Sequence, residues 1–389
     1  MIQSRNTILL LEKIAKKVHD EILYFNNPGL HGGVGGLALF LAYYAKFTDE
    51  QKYLDRAVEA IQFSMESFIQ EAPVFTLAGG WAGMGWTLAH FQQEGFMDVD
   101  INELFEDIHP FMEKTVRKNI DAGIYDFLHG GIGIGHYYLE NKTAPNRDEI
   151  LQYIAQKLQE LSYQNNEFQP LQEQVFHERP AFTYNLGIAH GIPGILAFLA
   201  LLQQHGFYTA KTTICLKAGA AWMLQQKLEK KETSVFPKKM IAGKPQGMPS
   251  FLGWCYGDLS VSSALYQVGN LLSDTYIVDQ SLVVAQLGAF RSKGLSGVDN
   301  PYFCHGSAGV AYIFKQFADK TDSFFYKKAA DFWLQETIEY FDTEEYVDFF
   351  DRELENLERS LLAGVAGIGM VLMAFLKEDK GEWKRAFLL

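Results

Sequence analysis

The stretch Gly191-Ile192-Pro193-Gly194, running straight into Ile195-Leu196-Ala197-Phe198-Leu199-Ala200-Leu201-Leu202, decides how this chain folds. Two glycines bracket a tight turn, and the segment behind them is apolar nearly all round, which marks a buried helix. The pattern returns along the whole chain as Gly32-Gly33-Val34-Gly35, Gly80-Trp81-Ala82-Gly83, Gly130-Gly131-Ile132-Gly133, Trp254-Cys255-Tyr256-Gly257, Gly306-Ser307-Ala308-Gly309 and Gly364-Val365-Ala366-Gly367. In the Trp254 copy a tryptophan replaces the first glycine. With the second glycine as anchor, positions 35, 83, 133, 194, 257, 309 and 367 lie 48, 50, 61, 63, 52 and 58 residues apart, each spacing one helical hairpin long.

Amphipathic segments precede the anchors, among them 53–69, 101–120, 150–161 and 324–340, and these read as outer helices. No sustained period-two alternation argues for strands. The expected fold is therefore all-α, an α/α toroid of seven hairpins in which inner helices form one ring and outer helices another, with residues 1–389 as a single domain. Closure follows because an open array would leave two apolar ends in water. All seven inner helices then begin at the same mouth, and the long connectors 164–189, 230–253 and 341–362 overhang it.

At 389 residues, 48% hydrophobic and 21% charged, the chain has material for a large core. A formal charge of −13 argues against nucleic acid or an anionic membrane as the main partner. Three cysteines are too few for a disulfide framework, which suits a reducing compartment. The apolar run at 8–11 gives way at once to Glu12 and Lys13, and no apolar stretch reaches the ~18 residues of a membrane span, so a cytoplasmic protein is expected.

Histidine stands four residues before the anchor in four repeats, as His31, His129, His190 and His305. Such a histidine often only hydrogen-bonds backbone, and His31 and His129 are read in that way. His305 differs, because Cys304 is beside it. Cys255 lies two before its anchor and Cys304 five before the next, so adjacent repeats would bring both sulfurs to one lip. Cys255, Cys304 and His305 suit Zn²⁺, with the fourth tetrahedral position left for water or substrate; buried structural cysteines are the alternative. Two thiolates and a neutral imidazole bring the ion near zero charge, which favours delivering a bound thiolate over acidifying water. Cys215, in an amphipathic stretch, reads as a helix residue.

Taken together, Trp254-Cys255-Tyr256-Gly257, Cys304-His305-Gly306, Ala189-His190-Gly191-Ile192-Pro193-Gly194 and Ala363-Gly364-Val365-Ala366-Gly367 resemble the signature set of the lanthionine synthetase C-like cyclases. The glycine anchors extend that resemblance over essentially the whole chain. It implies an α/α toroid whose zinc, held by Cys255, Cys304 and His305, activates cysteine thiols of a dehydrated precursor peptide. Those thiols would add to dehydroalanine or dehydrobutyrine and give (methyl)lanthionine thioether rings. A separate dehydratase would prepare the peptide.

The family's proposed proton-transfer histidine matches His190, and Asp126 matches the acidic residue near it. Chemistry agrees, since attack on the β-carbon creates an enolate that needs a proton, and an imidazole titrating near neutrality can give one. Tyr256 can donate a hydrogen bond to the developing oxyanion, or simply pack. Some members carry arginine four residues before the first of these cysteines. Here that place is Phe251, so a cationic contact is expected to be missing. Two other readings are a protein that adds glutathione or another small thiol to dehydrated residues, and a zinc or thiol-binding module without catalysis. A glycosidase toroid would want paired carboxylates at the mouth, where the sequence offers mainly Asp126 and Asp258.

Overall fold

Each apolar run behind a glycine pair forms one helix, and these are Val34–Thr48, Trp81–Glu94, Gly131–Glu140, Ile192–Gln204, Asp258–Leu272, Ser307–Thr321 and Val365–Leu376. In this computed structural model, which describes residues 2–25, 27–68, 73–172, 183–229, 234–343, 346, 348–377 and 381–389, each of the seven packs on the next and the last packs on the first. Outside them run Ile2–Glu21, Gln51–Phe68, His109–Asp121, Arg147–Ser162, Thr212–Gln225, Thr275–Ala289 and Phe324–Tyr340. The expected all-α, α/α toroid is the fold that forms. Ile69 and the connector residues 173–182, 230–233, 344, 345 and 347 lie outside the described residues.

Neighbouring repeats are joined at the mouth by backbone hydrogen bonds. Leu30 N donates to Leu77 O at 3.1 Å, Ala78 N to Leu128 O at 2.9 Å and Phe127 N to Ala189 O at 3.1 Å. Farther round, Trp254 N donates to Cys304 O at 2.9 Å, Cys304 N to Leu362 O at 2.9 Å, and Leu362 N back to His31 O at 3.1 Å, which closes the circle. Such close backbone approach leaves no room for side chains. A Cβ at Gly83 would overlap both Leu77 O of its own repeat and Leu30 N of the preceding one.

The repeat register differs from the expected one in two copies. The N-cap glycines of the seven inner helices are Gly33, Gly80, Gly130, Gly191, Gly257, Gly306 and Gly364. The first copy is thus Gly33-Val34-Gly35-Gly36, one residue later than read, and Gly257 is a first glycine whose second is replaced by Ser260. Glycine-rich runs such as residues 32–36 are ambiguous in sequence, and only the cap geometry fixes the frame.

Three further features depart from expectation. The segment 101–120 is two helices, Ile101–Leu104 and His109–Asp121, because Pro110 lacks a backbone N–H and belongs in a helix's first turn. The connectors also hold strands. β1 (Tyr163–Gln164) pairs with β2 (Glu167–Phe168), while β3 (Thr183–Asn185), β4 (Pro237–Ile241) and β5 (Lys244–Pro249) form an antiparallel sheet of order β3-β4-β5. These strands are too short for alternation to show, and β3 pairs with a segment from the next repeat. Ala242 and Gly243, both at positive φ (49° and 75°), make the two-residue turn between β4 and β5.

Finally, the axis of the ring is filled by the chain's own C-terminal segment, a 3₁₀ helix over Glu382–Phe387. His31 donates from Nε2 to Ala386 O at 2.8 Å, His136 from Nε2 to Arg385 O at 2.7 Å, and Trp254 from Nε1 to Phe387 O at 2.9 Å. Arg385 also meets Glu140 at 2.8 Å, and Trp383, Ala386 and Phe387 are buried. Repeats on opposite sides of the ring thereby share one apolar centre.

Burial lowers His31 to about 3 and His136 to about 4, against the pull of their backbone hydrogen bonds. Both rings stay neutral in the fold while the unfolded chain protonates near 6.5, so below that pH the unfolded state binds more protons and stability falls with acidification. From pH 7 to pH 5 we expect a loss of about 2 kcal/mol per histidine. Urea titrations at both pH values should show a smaller drop in H31Q and H136Q than in the native protein.

Candidate active site

The residue two places before each N-cap glycine has its backbone bonded into the circle at the mouth. In two adjacent repeats that residue is cysteine, since Cys255 precedes Gly257 as Cys304 precedes Gly306. Cys255 N donates to Cys304 O at 3.1 Å, so the two cysteines are tied through main chain before their side chains meet. Their equivalence was hidden by the shifted anchor. Close approach here depends on Gly253, where a Cβ would stand 2.9 Å from His305 Cα and 3.0 Å from Cys304 O.

The Cys255 and Cys304 sulfurs and a His305 ring nitrogen all lie within 4.8 Å of one another, with Cys304 Sγ 3.9 Å from His305 Nε2. A tetrahedral ion with Zn–S of ~2.3 Å and Zn–N of ~2.0 Å would need donor separations of roughly 3.5–3.8 Å, so small side-chain adjustments suffice. The sulfurs are 3% and 7% exposed by residue, whereas His305 is half-buried, leaving the fourth side toward the mouth. Burial raises the Cys255 thiol, with its hydrogen bond to Cys304 acting the same way and the Lys238 charge opposing; Cys304 is lowered, chiefly because it accepts that hydrogen bond. Two soft sulfurs and one imidazole are a donor set that fits zinc.

Next along the mouth, His190 Nδ1 donates to Asp126 Oδ2 at 2.6 Å. The other oxygen, Asp126 Oδ1, accepts from Leu128 N and His129 N, both at 2.8 Å, so the carboxylate is fixed in direction. This arrangement places a proton on Nδ1 and fixes the orientation of the ring. His190 is half-buried, close enough to solvent to meet a substrate.

The residue immediately before the N-cap glycine is His129, His190, Tyr256 and His305 in four consecutive repeats. Their rings follow one another along the mouth. His129 stacks on His190 at 6.2 Å, His190 meets Tyr256 at 5.6 Å, and Tyr256 stacks on His305 at 6.1 Å. Tyr256 therefore stands between the candidate metal ligand and the candidate proton carrier. Asn185 Nδ2 donates to the Tyr256 hydroxyl oxygen at 3.2 Å, while Asn185 Oδ1 accepts from Gly187 N at 2.8 Å.

Sequence reasoning missed Asn185, although a signal was present. Asn27, Asn185 and Asn300 each lie six residues before an N-cap glycine, and each accepts through Oδ1 from the backbone N–H two residues on. Lys238 on β4 was also missed. Its Nζ lies 4.8 Å from the ring centroids of both Phe251 and Tyr256, so the place expected to lack a cation has one, delivered by a neighbouring strand.

Other sequence candidates fall elsewhere. His31 is out of register with the other three histidines and is committed to the ring axis, a hydrogen-bonding role as expected but over long range. Asp258 is fully buried and pairs with Arg291. It accepts from Val235 N at 2.8 Å, Phe236 N at 3.0 Å and Ser250 Oγ at 3.0 Å, so it fastens the β4–β5 connector and does not face the mouth. Cys215 sits in a helix as expected, and burial pushes its thiol up to about 12.

Residues 24–388 match the model of the family described as lanthionine synthetase C-like protein. The nisin biosynthesis protein NisC of Lactococcus lactis subsp. lactis is 24% identical over 403 residues, covering 94% of this chain and 90% of that protein. A solved nisin cyclase structure aligns with a TM-score of 0.79 at 21% identity, over 97% of this chain and 96% of that one.

Replacing Cys304 by alanine should lower bound zinc from about one per chain to near none, while helical content by circular dichroism stays within about a tenth of native. Loss of the helical signal together with the metal would instead make the ion a structural staple.

Proposed function

Because the chain belongs to the lanthionine synthetase C-like family, we propose that it is a lanthipeptide cyclase, closing thioether rings in a dehydrated precursor peptide. The observation that carries this reading is the convergence of Cys255, Cys304 and His305 beside a histidine whose ring is oriented by Asp126. Residues 1–389 act as one catalytic unit. Zinc held by those three donors would supply a Lewis acid that lowers the pKa of a peptide cysteine and presents it as thiolate.

The rest belongs to this chain's own groups. As the sulfur bonds to the β-carbon of dehydroalanine or dehydrobutyrine, the Cα–Cβ π pair shifts to the α-carbon and the adjacent carbonyl oxygen. His190, protonated at Nε2 and steadied through Nδ1 by Asp126, gives a proton to the α-carbon. The proton lost by the thiol balances the one gained at carbon, so no oxidant or reductant enters. Tyr256, next to the metal ligand, is within reach to donate to the developing enolate oxygen, with Asn185 holding its phenol from the other side.

Cyclisation leaves peptide mass unchanged but consumes one thiol per ring, so alkylation counting reads the reaction directly. Purified protein with zinc and a dehydrated, cysteine-containing peptide should abolish alkylation at each ring-forming cysteine. Intact thiols after incubation, or a mass gain of one glutathione per site when glutathione is supplied, would remove the cyclase reading. H190N should retain zinc and slow thiol loss by about 10²- to 10⁴-fold. An unchanged rate would take His190 out of the reaction.

A further inference from the structure

Among the described residues, the cation poised over these rings comes from outside the glycine-anchored turns. Lys238 lies on β4, whose attachment to the site is built on buried hydrogen bonds. Just before it, Val235 N and Phe236 N are held by the Asp258 carboxylate, itself paired with Arg291. Its own carbonyl accepts from Leu186 N at 3.2 Å, in the segment that leads to His190. The side chain thus starts from backbone anchored on both flanks of the mouth, to the Cys255 repeat through Asp258 and to the His190 repeat through Leu186.

Among the described residues no carboxylate pairs with Lys238. Its ammonium instead rests 4.8 Å from each of two ring centroids, Phe251 and Tyr256, and Tyr256 touches both His190 and His305. Ring faces attract a cation only modestly and leave its hydrogen-bond donors unspent. A lysine fixed in this way beside candidate catalytic rings is arranged to meet a negative charge that arrives with the substrate.

We propose that Lys238 is a further catalytic residue, its ammonium stabilising the negative charge that develops on the substrate carbonyl oxygen as the carbon–sulfur bond forms. This rests on the cyclase reading above. The charge is absent from the bound, unreacted peptide and largest at the enolate, so the interaction favours the transition state over the ground state. Tyr256 and Lys238 then serve the same oxygen, one by a hydrogen bond and one by charge, while His190 protonates the neighbouring carbon.

The test uses the zinc-loaded full-length protein and a dehydrated cysteine-containing peptide, with thiol loss followed against peptide concentration. K238M keeps the stem and removes the charge; it should lower kcat on the order of ten- to a hundredfold, with KM within about threefold and zinc at one per chain. K238R restores the charge and should recover kcat to within about fivefold of native. The proposal is overturned if K238M turns over within twofold of native, if only KM changes, or if K238M loses zinc or its thermal transition, since each makes Lys238 a binding or structural residue. Should native protein itself fail to consume thiols, it is the cyclase reading that falls.

Discussion

The structure depends on main chain meeting main chain at the mouth of the toroid. At six of the seven junctions the N–H of one turn donates to the carbonyl of the next, the last turn donating to the first. At the other, between the His190 and Cys255 turns, a Cβ on Gly187 would overlap Cys255 O. A buried polar backbone must be satisfied, and at these junctions the partner is a neighbouring repeat. Glycine at the helix starts is the condition for that approach, so the sequence pattern and the closed ring are two views of one constraint.

From the same constraint the candidate site follows. Equivalent positions in neighbouring turns are brought side by side, so two cysteines in matching places become a sulfur pair, and His129, His190, Tyr256 and His305 become a row of rings. A rigid backbone circle places donors without needing helices to be packed to tolerance. Local differences then decide roles. His190 has Asp126 on its inner nitrogen, His305 has Cys304 beside it, and His129 holds the same carboxylate only through its main chain.

Two elements outside the repeat pattern complete the protein. The C-terminal 3₁₀ helix fills the axis and supplies backbone carbonyls to buried His31, His136 and Trp254, groups that would otherwise be costly inside the ring. The β3-β4-β5 sheet, drawn from two connectors, lies over the same lip and brings Lys238 to it. The buried Asp258–Arg291 pair holds that sheet's connector down, and so links a residue three places after Cys255 to a strand that begins far upstream.

Much was legible in the chain itself. Glycine pairs before apolar runs specify seven buried helices, because only glycine tolerates backbone that close and only an all-round apolar helix needs neighbours on every side. Cys255, Cys304 and His305 stood out because soft ligands beside a turn are rare. What the sequence could not carry was the exact frame of two repeats, since consecutive glycines look alike until a helix is capped, and every contact that crosses the ring. Asn185 to Tyr256, Lys238 to Tyr256, Asp258 to Arg291 and His31 to Ala386 join segments whose separation along the chain ranges from tens to hundreds of residues. No local spacing encodes such pairs; closure of the ring and the path of its connectors decide them.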